Sequence, residues 1–115
     1  MNDKPHLDEE ALAELQEVME DDFDVLIRTY LTDSEDRIEA LRHAIDLADT
    51  DTFTKSAHSF KGSSVNIGAP RLGSLCLDAE TAGRVGSMEG AAAMMDAIEA
   101  EFKIIRDMLE RSLRP

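Results

Sequence analysis

A histidine, a lysine and a glycine at positions 58, 61 and 62 hold most of the chemistry this chain can offer. They sit in the segment Ala57-His58-Ser59-Phe60-Lys61-Gly62-Ser63-Ser64. Helical apolar spacing runs through that segment at Phe53, Ala57, Phe60, Ser64 and Ile67, in steps of 4, 3, 4 and 3. His58, Lys61 and Gly62 fall one position out of phase with this stripe and form a neighbouring strip, where side chains lie roughly 5–6 Å apart at Cβ. A glycine inside a helix costs about 1 kcal/mol relative to alanine, so it calls for a reason. Bare backbone beside an imidazole and an ammonium lets another molecule come close to the ring. Each residue alone has an ordinary account: a surface histidine, a solvated lysine, a local weakness in a helix. On one strip, with small Ser59 and Ser63 flanking, the three read as a functional surface.

The elements that must hold this strip are helical. Asp8 is a good N-cap for a short amphipathic segment with Leu12, Leu15 and Val18 or Met19 on its apolar face. Asp21 and Asp22 interrupt it and open a long helix reaching about Ala48, with the stripe Ile27, Leu31, Ser34, Ile38, Leu41, Ile45 and Ala48. Asp49-Thr50-Asp51 makes a turn, and the histidine helix follows to about Ile67. Gly68 suits the position just past that helix and Pro70 the first turn of the next, which carries Leu72, Leu75, Cys76, Ala79 and Ala82. Gly86 ends it, and Ser87 is the expected cap of a last helix with Met94 or Met95, Ile98, Phe102, Ile105 and Leu109 as its stripe. No strand-like alternation occurs. The fold class is therefore all-α: an antiparallel four-helix bundle with a short extra N-terminal helix, over residues 8–115, preceded by a flexible N-terminus at 1–7.

Composition narrows the function. The 115 residues suffice for one modest core, and 43% hydrophobic content says that the chain folds. A net charge of −13 argues against nucleic acid and against an anionic membrane surface. The charge is unevenly placed. Thr52–Met88 holds four basic and two acidic side chains, a balance of +2, which leaves −15 for the rest. The strip thus occupies the one non-acidic third of the chain, which would steer an acidic partner to it, unless the acid-poor stretch arose by chance. Cys76 is alone, so neither an intrachain disulfide nor a cysteine metal cluster can form. The N-terminus lacks the apolar region of a secretory signal and no run is long enough to span a membrane, so a cytoplasmic location is expected. His6 falls in the frayed start, and His43, beside Arg42 and off the main stripe, reads as a surface residue.

The segment from Ala57 to Ser64, followed by Asn66-Ile67-Gly68-Ala69 and Leu72, resembles the signature of the histidine-containing phosphotransfer (HPt) domain. The stretch Asp33-Ser34-Glu35-Asp36-Arg37-Ile38 is similar to free-standing bacterial members, those of the HptB type above all. The resemblance covers essentially the whole chain and implies an antiparallel four-helix bundle. It makes His58 the phosphorylated histidine, at Nε2, with Lys61 beside the phosphoryl group and Gly62 leaving room for the group and for a partner. Many members carry a glutamine 22 residues after the histidine, bonded to the other ring nitrogen. Here that position is Glu80, whose carboxylate can accept the same Nδ1–H bond and orient the ring. Docking is expected to bury His58 among Ser59, Gly62, Ser63 and Val65.

The resemblance implies a phosphorelay intermediate. His58 takes a phosphoryl group from the receiver domain of a hybrid histidine kinase and passes it to the receiver of a response regulator. A neutral imidazole, with an ordinary pKa near 6.5, is a competent acceptor, and a lysine one turn away can stabilise charge developing on the phosphoryl oxygens. The chain shows no P-loop and no GxGxxG, so it is expected to be a phosphocarrier without kinase activity of its own. It would bind no cofactor, the Mg²⁺ and the acceptor aspartate belonging to the receiver, and it would work as a monomer. Two rivals stand beside this reading. One is a helical adaptor that binds a signalling partner through the same surface, with an incidental histidine. The other is a metal-binding bundle, but that needs two Glu-x-x-His motifs on facing helices, and none occurs.

Overall fold

The structure, a computed structural model, describes residues 3–113. Its elements are α1 (Glu9–Met19), a 3-10 turn (Glu20–Asp22), α2 (Phe23–Asp46), α3 (Thr50–Asn66), α4 (Pro70–Arg84) and α5 (Ala91–Ser112). No strand occurs among the described residues. Short links force consecutive helices to run antiparallel. α2 packs on α3, α3 on α4, α4 on α5, and α5 returns to α2, closing a four-helix ring. The predicted stripes meet at its centre: Ile27 and Leu41 of α2, Phe53 and Phe60 of α3, Leu72 and Cys76 of α4, and Met95, Ile98, Ile105 and Leu109 of α5 are fully buried. Phe60 meets Phe102 edge to face at 6.4 Å. Beneath the outer strip of α3, the Tyr30 hydroxyl and Ser64 Oγ are 2.8 Å apart, and burial pushes the phenol up to about 12. Arg42 ties α2 to α5 through Asp96 (2.9 Å) and Glu99 (2.6 Å).

The helix ends follow from local chemistry. Asp8 and Asp49 cap α1 and α3 by accepting from the backbone N–H of Ala11 and Thr52, each at 3.1 Å. Pro70 opens α4, where its missing N–H is no loss. Three helices end alike. The N–H of Asp49, Ala69 and Ser87 reaches back five residues to the carbonyl of Ala44, Ser64 and Ala82, and the residue before each has positive φ. Two of those residues are glycines, Gly68 (φ 87°) and Gly86 (φ 77°); the third is Ala48 (φ 52°).

These turns correct two expectations. Ala48 is not the last apolar position of a helix: α2 ends at Asp46, and Ala48 is exposed in the closing turn. Ser87 does not cap the last helix: it belongs to the turn that closes α4, where its N–H reaches Ala82, and α5 starts only at Ala91 behind Gly90. The expected flexible lead-in lies against the bundle over its described part. Leu7 joins the core, His6 Nδ1 sits 2.7 Å from the buried Glu101, and the Lys4 carbonyl accepts from Arg71 Nε at 2.8 Å. The rest of that expectation, at residues 1 and 2, and the chain end at 114 and 115 lie outside the described residues.

Candidate functional site

The site is built on the α3–α4 pair, and glycines set how close that pair comes. A Cβ at Gly83 would run into the Thr54 side chain and Phe53, and one at Gly73 would lie 2.8 Å from Val65 Cγ2. With no side chain at either place, α4 lies tightly along α3. A glutamate on α4 can then reach across to a histidine on α3. Ala57 and Phe60 bury the inner face of α3, so His58 and Lys61 emerge at the seam between the two helices.

Glu80 is the centre of the arrangement. Its side chain is 2% exposed, and three nitrogen groups surround its carboxylate. His58 Nδ1 is 2.9 Å from Oε2, Lys61 Nζ is 3.1 Å from Oε1, and Arg84, one turn further along α4, bonds to Oε2 through Nη2. Burial alone would raise the Glu80 carboxyl above its ordinary value. The bonds from Lys61 and His58 outweigh burial and hold it below that value. An ionised carboxylate only accepts hydrogen bonds, so the His58 Nδ1 facing it carries the proton. The lone pair then lies on Nε2, on a side chain that is 65% exposed. The arrangement can therefore present one nucleophilic ring nitrogen in a fixed tautomer, beside two cations, on an open surface.

Gly62 is unlike the other helical glycines. A Cβ there would meet nothing within 4 Å, so no neighbour in the chain needs its absence. Bare backbone at that point serves something arriving from outside. Of the expected docking positions, Val65 is 57% exposed and Ser59 is exposed, but Ser59 Oγ already accepts from Arg37 Nη1 at 2.9 Å. Ser63 is half-buried and donates to its own helix at the Phe60 carbonyl. His43 is exposed on α2, as expected, and belongs to no such cluster.

Two residues of this surface escaped the sequence reading. Arg84 stands four residues after Glu80, and that spacing on one helix was the available signal. Leu77, three before Glu80 on α4, is 44% exposed, a second large apolar side chain open to solvent besides Val65 on α3. Among the described residues no group of three His, Cys, Asp or Glu side chains is placed to hold a metal ion.

The family model for the Hpt domain matches residues 25–114. The structure is similar to the crystal structure of histidine-containing phosphotransfer protein B (HptB) from Pseudomonas aeruginosa PAO1. The TM-score is 0.92 at 42% identity, and 94% of each chain is covered. It also shares its fold with the maize histidine-containing phosphotransfer protein ZmHP2, with a TM-score of 0.83 at 20% identity over 93% of this chain and 88% of that one. Comparison with curated proteins gives no sequence match.

Proposed function

This chain belongs to the Hpt domain family and is a phosphorelay intermediate, and we propose that His58 is the residue that carries its phosphoryl group. The observation that carries the assignment is the fixed tautomer: Nδ1 is held by the buried Glu80 carboxylate, which leaves the Nε2 lone pair on an open surface. In the transfer, the Nε2 lone pair attacks phosphorus while the bond to the donor oxygen breaks, its electron pair leaving with the donor carboxylate. The ring keeps its Nδ1 proton and becomes formally cationic, and Glu80 offsets that charge. Glu80 therefore takes the place of a neutral hydrogen-bond acceptor with a group that favours the phosphorylated ring.

The donor and acceptor on this reading are receiver domains, of a hybrid kinase upstream and a response regulator downstream, which supply the aspartate and its Mg²⁺. The chain contributes a positioned nucleophile and nearby cations, and no kinase activity of its own. Ser59, Gly62, Ser63, Val65 and Leu77 form the margin a receiver would cover. On this reading the protein works as a monomer in the cytoplasm. No helix among the described residues is long and apolar enough to cross a membrane.

The test is phosphate uptake from phosphorylated receiver domains by the protein and by its His58→Gln variant. Acid-labile, alkali-stable label on the first and none on the second is the expected result. Label on the variant would assign the phosphoryl group to another residue.

A further inference from the structure

Lys61 is expected beside the phosphoryl group, yet in the unphosphorylated site its ammonium is bound to Glu80. One lysine cannot serve two anions equally, and the surroundings of Glu80 suggest how the conflict is resolved. We propose that Arg84 is a positioning residue: it stays with Glu80 as a standing counter-ion, so that Lys61 can leave Glu80 for the phosphoryl oxygens when His58 is phosphorylated. This rests on His58 being the phosphocarrier.

The charge count supports the exchange. Before transfer a single buried carboxylate faces two cations, Lys61 and Arg84, and the His58 ring, which reacts through the free lone pair of its Nε2. As Nε2 bonds to phosphorus and the donor's leaving group departs with its electron pair, the ring becomes cationic without losing its Nδ1 proton. Glu80 then has the ring and Arg84, and Lys61 is surplus to it just as an anionic group appears one helical turn away. Without Arg84, a departing lysine would leave Glu80 with no fixed cation throughout the approach to the transition state, when the ring charge is only partly developed. A buried carboxylate in that condition resists losing its partner.

Position separates the roles of the two cations. Arg84 sits on the same helix as Glu80 at i,i+4, and a guanidinium matches carboxylate geometry, so it is the natural permanent partner. Lys61 sits on the same helix as His58 at i,i+3, with a flexible stem and a compact charge, so a change of rotamer carries it from Glu80 towards the ring.

Phosphoramidate, which delivers a phosphoryl group to histidine by loss of its nitrogen as ammonia, removes any partner protein from the test. Label uptake and phosphohistidine lifetime would be followed across pH for the full chain, Arg84→Gln, Arg84→Lys, Glu80→Gln and the double variant Glu80→Gln/Arg84→Gln. Thermal melts would confirm that each is folded. Arg84→Gln is expected to slow uptake on the order of tenfold, a typical coupling for groups in one ion network, with Arg84→Lys restoring most of it. In the Glu80→Gln background the same Arg84 change should have little further effect, because no carboxylate remains to be held.

An equal loss in both backgrounds would overturn the proposal and place Arg84 on the phosphoryl group itself, and no loss in either would also overturn it. Failure of the underlying reading is separately visible, as label that persists in His58→Gln. With His58→Gln unlabelled and the two Arg84 effects additive, only the counter-ion exchange falls.

Discussion

A carboxylate with almost no solvent exposure holds its charge only because its neighbours supply what water would. Glu80 has His58, Lys61 and Arg84 within bonding distance and is held below the ordinary carboxyl range. That sets the sign of a pH effect. A group whose folded pKa is depressed adds stability that is fully present above its unfolded value and is lost as pH falls through its folded value. The protein should therefore lose stability in acid partly through Glu80, over the window that opens at the ordinary carboxyl value and runs below it. Glu80→Gln cannot titrate, so the stability gap between protein and variant, measured by urea unfolding at a series of pH values, should narrow across that window. A gap that does not change with pH would mean that Glu80 contributes no charge-dependent stability. Phase on a helix and a family pattern both made His58 and Lys61 legible as one strip, the family pattern alone pointed at Glu80, and the structure brings the three side chains together. Arg84 was not legible, since an arginine four residues after a glutamate is usually an exposed surface pair, and only the burial of Glu80 gives this one weight.

At the level of the helices, three glycines with similar surroundings in sequence do opposite things. Gly73 and Gly83 are needed by the fold because α3 occupies the space where their side chains would be, whereas Gly62 faces open space. Gly83→Ala should destabilise the bundle by about 1–3 kcal/mol, the usual cost of overpacking, and disturb the reach from Glu80 to His58. Gly62→Ala should instead stabilise the isolated protein by up to about 1 kcal/mol, the helix propensity difference, while slowing exchange with a receiver. Thermal melts and transfer assays on both variants check this. A destabilised Gly62→Ala would show that its glycine serves the fold after all. The stripes, Pro70 and the two glycine-ended turns could be read in advance because each rests on local chemistry. Ser87 misled because a good capping residue three positions too early is indistinguishable in sequence from a true cap. The tight α3–α4 contact was hidden for a different reason: a glycine pressed against another helix looks like any other glycine until the neighbour is in place.

Over the whole molecule, charge and site are segregated. The stretch from Thr52 to Met88, which is α3 without its acidic first turn, α4 and the turn after it, carries a balance of +2 while the remainder carries −15. Self-repulsion among so many like charges opposes folding, and the exposed ion pairs that counter it, such as Lys55 with Asp51, are each worth about 1 kcal/mol at most. Salt shortens the reach of both effects, from about 30 Å at 0.01 M to about 3 Å at 1 M ionic strength. Because the repulsion is long-ranged and general while the pairs are few and local, repulsion should lose more. The melting temperature is therefore expected to rise with added sodium chloride, and its fall would show that local ion pairs dominate. The same screening should act on encounter. If the +2 face draws in a receiver by its acidic side, phosphotransfer at low concentration should slow as salt rises even while the fold becomes more stable. Opposite slopes for stability and transfer rate in one salt series are the signature of a molecule whose acidic body repels itself and whose docking face attracts. Parallel slopes would mean that the uneven charge plays no part in bringing the partner to His58.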